Sequence, residues 1–144
     1  MRLAPILIGV LLGAASLSAC GEPSTALAAE DAWIRAAPPG AHVMAGYVRL
    51  VNRSDLPIRC DGANGTDFGA IEIHRTQIED GQSQMLRDQV VEIPARGSAA
   101  LAPGGYHLML FRPQRPLAPG NRSSLTLICG EHQLTTEFTV RTAD

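Results

Sequence analysis

The chain has 144 residues with a formal charge of −2, enough after removal of a leader for one domain with a real core and too little for two. All twelve basic residues are arginines scattered along the sequence, so no basic stripe is available for nucleic acid.

The N-terminus has the form of an export signal. Arg2 supplies a short positive region, residues 3–12 an apolar run too short to span a bilayer, and Leu17-Ser18-Ala19-Cys20 follows directly. Small residues ahead of Cys20 match the lipobox of bacterial lipoprotein signal peptidase. The expected organisation is a lipoprotein signal peptide at 1–19, a lipid-anchored tether at 20–30 beginning on lipidated Cys20, and a folded domain at 31–144. The alternative is an ordinary secretory signal cleaved after residues 26–29. Either places the domain outside the cytoplasm, and two or more acyl chains at Cys20 would hold it at a membrane surface.

Downstream, the apolar residues repeat with period two, interrupted by Gly, Pro, Asn and Asp. Strands are expected at 32–37, 44–52, 57–61, 70–75, 84–90, 98–101, 106–112, 124–129 and 134–141, with turns at Pro38-Pro39-Gly40, Asn64-Gly65, Glu79-Asp80-Gly81 and Pro103-Gly104-Gly105 among others. No long amphipathic helix is legible. The pattern is all-β, an antiparallel sandwich of about seven to nine strands. Cys60 and Cys129 form an even pair in an oxidising compartment and are expected to bond to each other. Two separately buried thiols, or a metal-bound Cys129, are the alternatives.

Four soft or borderline metal ligands are spaced through the centre of the chain: His74, Met85 after ten intervening residues, His107 after twenty-one more, and Met109 two positions on. Two imidazoles and two thioethers without a nearby thiolate suit Cu(I) outside the cytoplasm, where thiolates oxidise. In Ile71-Glu72-Ile73-His74 the isoleucines share one strand face and put Glu72 and His74 on the other. In Tyr106-His107-Leu108-Met109-Leu110 the apolar residues likewise put His107 and Met109 together on the opposite face, about 7 Å apart at Cα. Met85 joins them only through tertiary structure, and could equally fill a gap in the core. Neutral ligands leave the ion's charge uncompensated, which argues for a shallow, solvent-accessible site. Glu72 and Tyr106 are candidates to support the ligands from behind.

These positions match, without a gap, the His-x10-Met-x21-His-x-Met motif of the periplasmic copper chaperone family PCu(A)C. Asp31-Ala32-Trp33-Ile34-Arg35-Ala36, Pro38-Pro39-Gly40-Ala41, Ala45-Gly46-Tyr47, Glu72-Ile73-His74 and the run from Pro103 to Leu110 also resemble it, over roughly residues 31–141. The resemblance implies a cupredoxin-like sandwich binding one Cu(I) through His74, Met85, His107 and Met109. It further implies delivery of that copper to the CuA centre of cytochrome c oxidase or to its assembly factors. Arg75 stands where many members have a methionine beside the first histidine, and the His- and Met-rich tail of some members is not seen after Arg141.

Two other histidines are less suggestive. His42 with Met44 repeats the His-x-Met spacing, but reads as a turn histidine leading into a core methionine. Cys129-Gly130-Glu131-His132 resembles part of a blue-copper loop, the basis of an alternative reading as a cupredoxin electron carrier. No methionine follows to complete it. A structural lipoprotein module without metal is the remaining alternative. An enzyme is not expected, since no nucleophile with a paired base and no His-Glu-x-x-His zinc pattern is found.

Overall fold

The computed structural model describes residues 25–142. The expected signal peptide at residues 1–19 and the expected lipidation site Cys20 lie outside the described residues. Eleven strands make up the regular structure: β1 (Leu27–Arg35), β2 (Val43–Asn52), β3 (Ile58–Cys60), β4 (Gly62–Asn64), β5 (Phe68–Glu79), β6 (Gln82–Leu86), β7 (Val91–Ile93), β8 (Ser98–Leu101), β9 (Tyr106–Pro113), β10 (Arg122–Cys129) and β11 (His132–Arg141). The large sheet runs β4-β10-β11-β1-β2-β9-β5-β6, β8 joins it on β2, and β3 pairs with β7. Strand β2 changes partner along its length, bonding β9 through Val43–Gly46 and β8 from Val48 to Val51.

The period-two pattern becomes the core. In β10, Ser123, Leu125, Leu127 and Cys129 point inward while their neighbours face outward. Leu50, Leu108, Leu110, Ile34, Ile93 and Phe138 meet them fully buried, each stabilising the fold by roughly 1.5–3 kcal/mol through loss of apolar contact with water. A disulfide joins Cys60 at the end of β3 to Cys129 at the end of β10. It ties the small sheet to the large one inside the core, where both cysteines are at most 1% exposed.

The structure departs from the expected elements in four places. The folded domain begins before residue 31, because Leu27, Ala28, Ala29 and Glu30 already pair with β2. The expected tether therefore gives up these residues to β1. Secondly, the pairing register shifts between Glu30 and Trp33, with Asp31 at φ 50°. This β-bulge reverses the inward phase, so that Leu27 and Ala29 face the core before it and Ile34 after it. Trp33 is thereby turned to the outer face beside Tyr47.

Thirdly, the strand expected at 84–90 is β6, which starts earlier and ends at Leu86, and a separate short strand, β7, follows at Val91–Ile93 where none was expected. Asp88 takes a positive φ of 52° between them, which breaks the ladder. The additional β7, with the short β4, raises the strand count above the expected range. Finally, the sandwich is not wholly antiparallel, since β1 and β11 run parallel. The first and last strands of the described residues lie side by side, and the domain between them serves as the long crossover a parallel pair needs.

The turns follow their residues. Asp80 and Gly81 both have positive φ, 50° and 75°, the requirement of a type I′ turn closing β5 onto β6. Across the domain, Asp67 accepts from Arg115 Nε and Nη2 at 2.8 and 2.9 Å and from the buried Ser123 hydroxyl at 2.8 Å. The hydrogen bond from Arg115, helped by that of Ser123, holds its carboxyl below the ordinary 3.8 against a smaller opposing effect of burial. Asp67→Ala should cost about 1–3 kcal/mol by leaving Ser123 without its partner. A carboxyl with a depressed pKa contributes stability that is full above its unfolded value and is lost as pH falls through the folded one. Urea denaturation should therefore show the gap between wild type and variant shrinking as pH falls below about 4.

Candidate metal centre

Strands β5, β9 and β6 lie side by side and carry the four ligand candidates. His74 pairs directly with His107 across β5 and β9, and Glu72 pairs with Met109. Across β5 and β6, Met85 pairs with Thr76, two residues from His74. Directly paired residues share a face, as do residues two apart in a strand. His74, Met85, His107 and Met109 therefore occupy one face, opposite to Ile73, Leu108 and Leu110 in the core. The imidazole centroids of His74 and His107 are 6.0 Å apart.

Exposure differs sharply among the four. Met85 is 52% exposed, whereas His74 and His107 are 3% and 5% exposed. The site is thus open at its methionine edge and closed around its imidazoles, where the sequence led us to expect a shallow site throughout. Aromatic residues line this face: Phe111 lies 6.1 Å from His74 between ring centroids, and Trp33 and Tyr47 stack at 4.6 Å.

Hydrogen bonds assign the ring protons. His74 Nε2 lies 2.7 Å from Glu72 Oε2 and donates to it. Its Nδ1 then carries the lone pair, and this atom is buried without a hydrogen-bond partner. Leaving such a group unsatisfied costs about 1–3 kcal/mol, a cost that a metal bound at Nδ1 would remove. His107 makes the opposite choice: Nδ1 donates to the Gly105 carbonyl at 3.0 Å, leaving the lone pair on Nε2. Glu72 also accepts from Arg87. The His74 bond first, and the Arg87 bond second, hold its carboxyl below the ordinary 4.5, so it is a carboxylate near neutrality. Two neutral imidazole lone pairs and two thioethers on one face fit a soft monovalent ion. Among the described residues, no three of His, Cys, Asp and Glu are grouped to hold a metal without the thioethers.

The remaining candidates fall elsewhere. Tyr106 pairs with Arg75, whose guanidinium lies 5.1 Å from its ring centroid, and belongs to the face opposite the ligands. It therefore does not support them as expected. His42 is exposed and Met44 is buried in the core. His132 is exposed opposite Cys129, whose sulfur is committed to the disulfide and offers no thiolate. Arg87 went unnoticed in the sequence, although its spacing of two from Met85 places it on the same side of an extended chain.

Comparison with known proteins places this geometry in context. The LpqE-like family model, whose description is of a lipoprotein, matches residues 27–141. Lxx21020 of Leifsonia xyli subsp. xyli, which carries a lipoprotein name, is 30% identical over 114 residues, covering 78% of this chain and 68% of its own length. Among solved structures, the CuI form of DR1885 from Deinococcus radiodurans is 29% identical at a TM-score of 0.56, over 87% of this chain and 83% of that one. The copper-bound PCuAC domain from PmoF2 has a TM-score of 0.69 at 24% identity, over 82% of this chain and 94% of that domain, a likeness of fold. The chain belongs to the LpqE-like family, with the all-β fold of the PCuAC domains.

Proposed function

We propose that the protein is an extracytoplasmic metallochaperone that carries one Cu(I) as cargo on His74, Met85, His107 and Met109 and hands it to the CuA centre of cytochrome c oxidase or to its assembly factors. The observation that carries the reading is the shared sheet face, where each histidine has one ring nitrogen committed to a hydrogen bond and the other nitrogen of His74 is buried without a partner. The copper-bound DR1885 and PmoF2 structures, which share the fold, support it.

The ligands explain how the metal could be both held and released. All four are neutral, so no thiolate charge has to be separated from the ion as it leaves. Met85 stands exposed at the rim and is the ligand an incoming acceptor can displace first, followed by the buried imidazoles in stepwise exchange. The disulfide fits an oxidising compartment, and the family's lipoprotein description supports lipidation at Cys20. The electron-carrier alternative lacks its thiolate at Cys129.

Delivery is tested by mixing the Cu(I)-loaded protein with a metal-free, reduced CuA domain and following the metal on each after separation. Transfer to the acceptor that exceeds transfer from a Cu(I)–chelator complex of equal affinity is expected. Retention of the copper would refute the chaperone role for that acceptor.

A further inference from the structure

Met85 rides on a ribbon that extends past the sheet. Arg75 is the last residue of β5 paired to β9 and the Thr76 amide still donates to the Gly105 carbonyl at 3.0 Å, while β5 from Gln77 to Glu79 pairs only with β6. Nearly every residue of β6 is exposed, and a two-stranded ribbon has little stability of its own. Beyond β6 the chain is tied back to β5 by the Gln89 amide on the Ile73 carbonyl at 2.9 Å and by Arg87. Arg87 Nη2 reaches both oxygens of Glu72, at 3.2 and 3.0 Å, and Nε reaches Oε2 at 3.4 Å. That same Oε2 receives the His74 Nε2 proton at 2.7 Å. One carboxylate thus joins a buried histidine to the chain segment that carries the exposed methionine.

We propose that Glu72 and Arg87 are positioning residues for the copper cargo: Glu72 keeps the proton of His74 on Nε2 so that Nδ1 is the nitrogen presented to the ion, and Arg87 fixes the Met85 strand to the same carboxylate. The inference rests on the copper reading above. It assigns the two imidazoles different donor atoms, Nδ1 of His74 and Nε2 of His107, each selected by what its other nitrogen donates to. A role for Arg87 in stability alone is disfavoured because its side chain is 64% exposed, and ion pairs so open to water contribute little to folding. Its effect on the position of Met85 needs no such contribution.

The test uses the metal-free protein first. Side-chain nitrogen NMR should show His74 protonated at Nε2 and His107 at Nδ1. Glu72→Gln, whose amide oxygen still accepts from Nε2–H, should keep the His74 tautomer, whereas Glu72→Ala should give a mixture with His107 unchanged. Chelator competition should then show Cu(I) affinity falling about 10–100-fold in Glu72→Ala, as for loss of other groups that orient metal ligands, and less in Glu72→Gln. Arg87→Ala should keep the tautomer and lower affinity, and combining it with Met85→Ala should cost less than the sum of the two. A His74 proton on Nδ1 in the metal-free wild type, a tautomer indifferent to Glu72→Ala, or strict additivity of Arg87→Ala and Met85→Ala would overturn the proposal. Failure of the wild type to bind Cu(I) would overturn the copper reading, and it is read in a separate experiment from the tautomer.

Discussion

Replacing His107 and Met109 together by alanine lowers affinity for Cu(I) by at least about 100-fold, measured by competition with a chelator. Removing even a group that only orients a ligand typically costs about 10–100-fold, and here two of the four proposed donors are lost from one strand. His107 is also the closest to a fixed point in the site. Its ring is buried, and its Nδ1 is held by the Gly105 carbonyl at 3.0 Å, which fixes the ring and leaves Nε2 as its donor atom. Met109 lies opposite Glu72 on the adjoining strand, and its loss removes the thioether nearest the imidazoles in sequence. Thermal unfolding of the same variant separates loss of ligands from loss of fold, since truncating buried His107 also opens a small cavity.

Replacing Cys60 and Cys129 together by alanine costs about 4 kcal/mol of stability in the chain-entropy treatment of a loop of this length. The bond spans 69 positions, so it removes a large closure entropy from the unfolded chain. It also connects β3, which with β7 forms a separate small sheet, to β10 in the large one. Denaturant unfolding should show the midpoint falling well below that of the wild type, and reductant should lower the wild type alone. A variant as stable as the wild type would mean that packing of β3 against β10 suffices without the bond.

The legible parts of the molecule are those in which local pattern and tertiary role agree. In β10 every inward residue is apolar or small and every expected phase is observed. Along 71–74 and 106–110 the same logic places Glu72, His74, His107 and Met109 away from the core before any pairing is known. The illegible parts depend on partners distant in sequence. Leu27–Glu30 looks like a tether because its alanines carry little β-preference, and only pairing with β2 makes it a strand. Nothing in the sequence near Asp31 announces the bulge that turns Trp33 outward. The burial of the histidines is not legible because strand phase places them away from the core and says nothing of their neighbours on that face, where Phe111 comes within 6.1 Å of His74 between ring centroids. Arg87 was missed because an arginine after a methionine reads as an ordinary solvated residue until Glu72 is found beneath it.

The central claim is that the His74, Met85, His107 and Met109 face holds one copper ion in its reduced state. Titrating the metal-free wild type and the His107→Ala, Met109→Ala variant with Cu(I) against a competing chelator tests this most directly. The account predicts a colourless 1:1 complex for the wild type, and loss of that complex in the variant with its β fold retained. Equal Cu(I) affinity in the two proteins would contradict it.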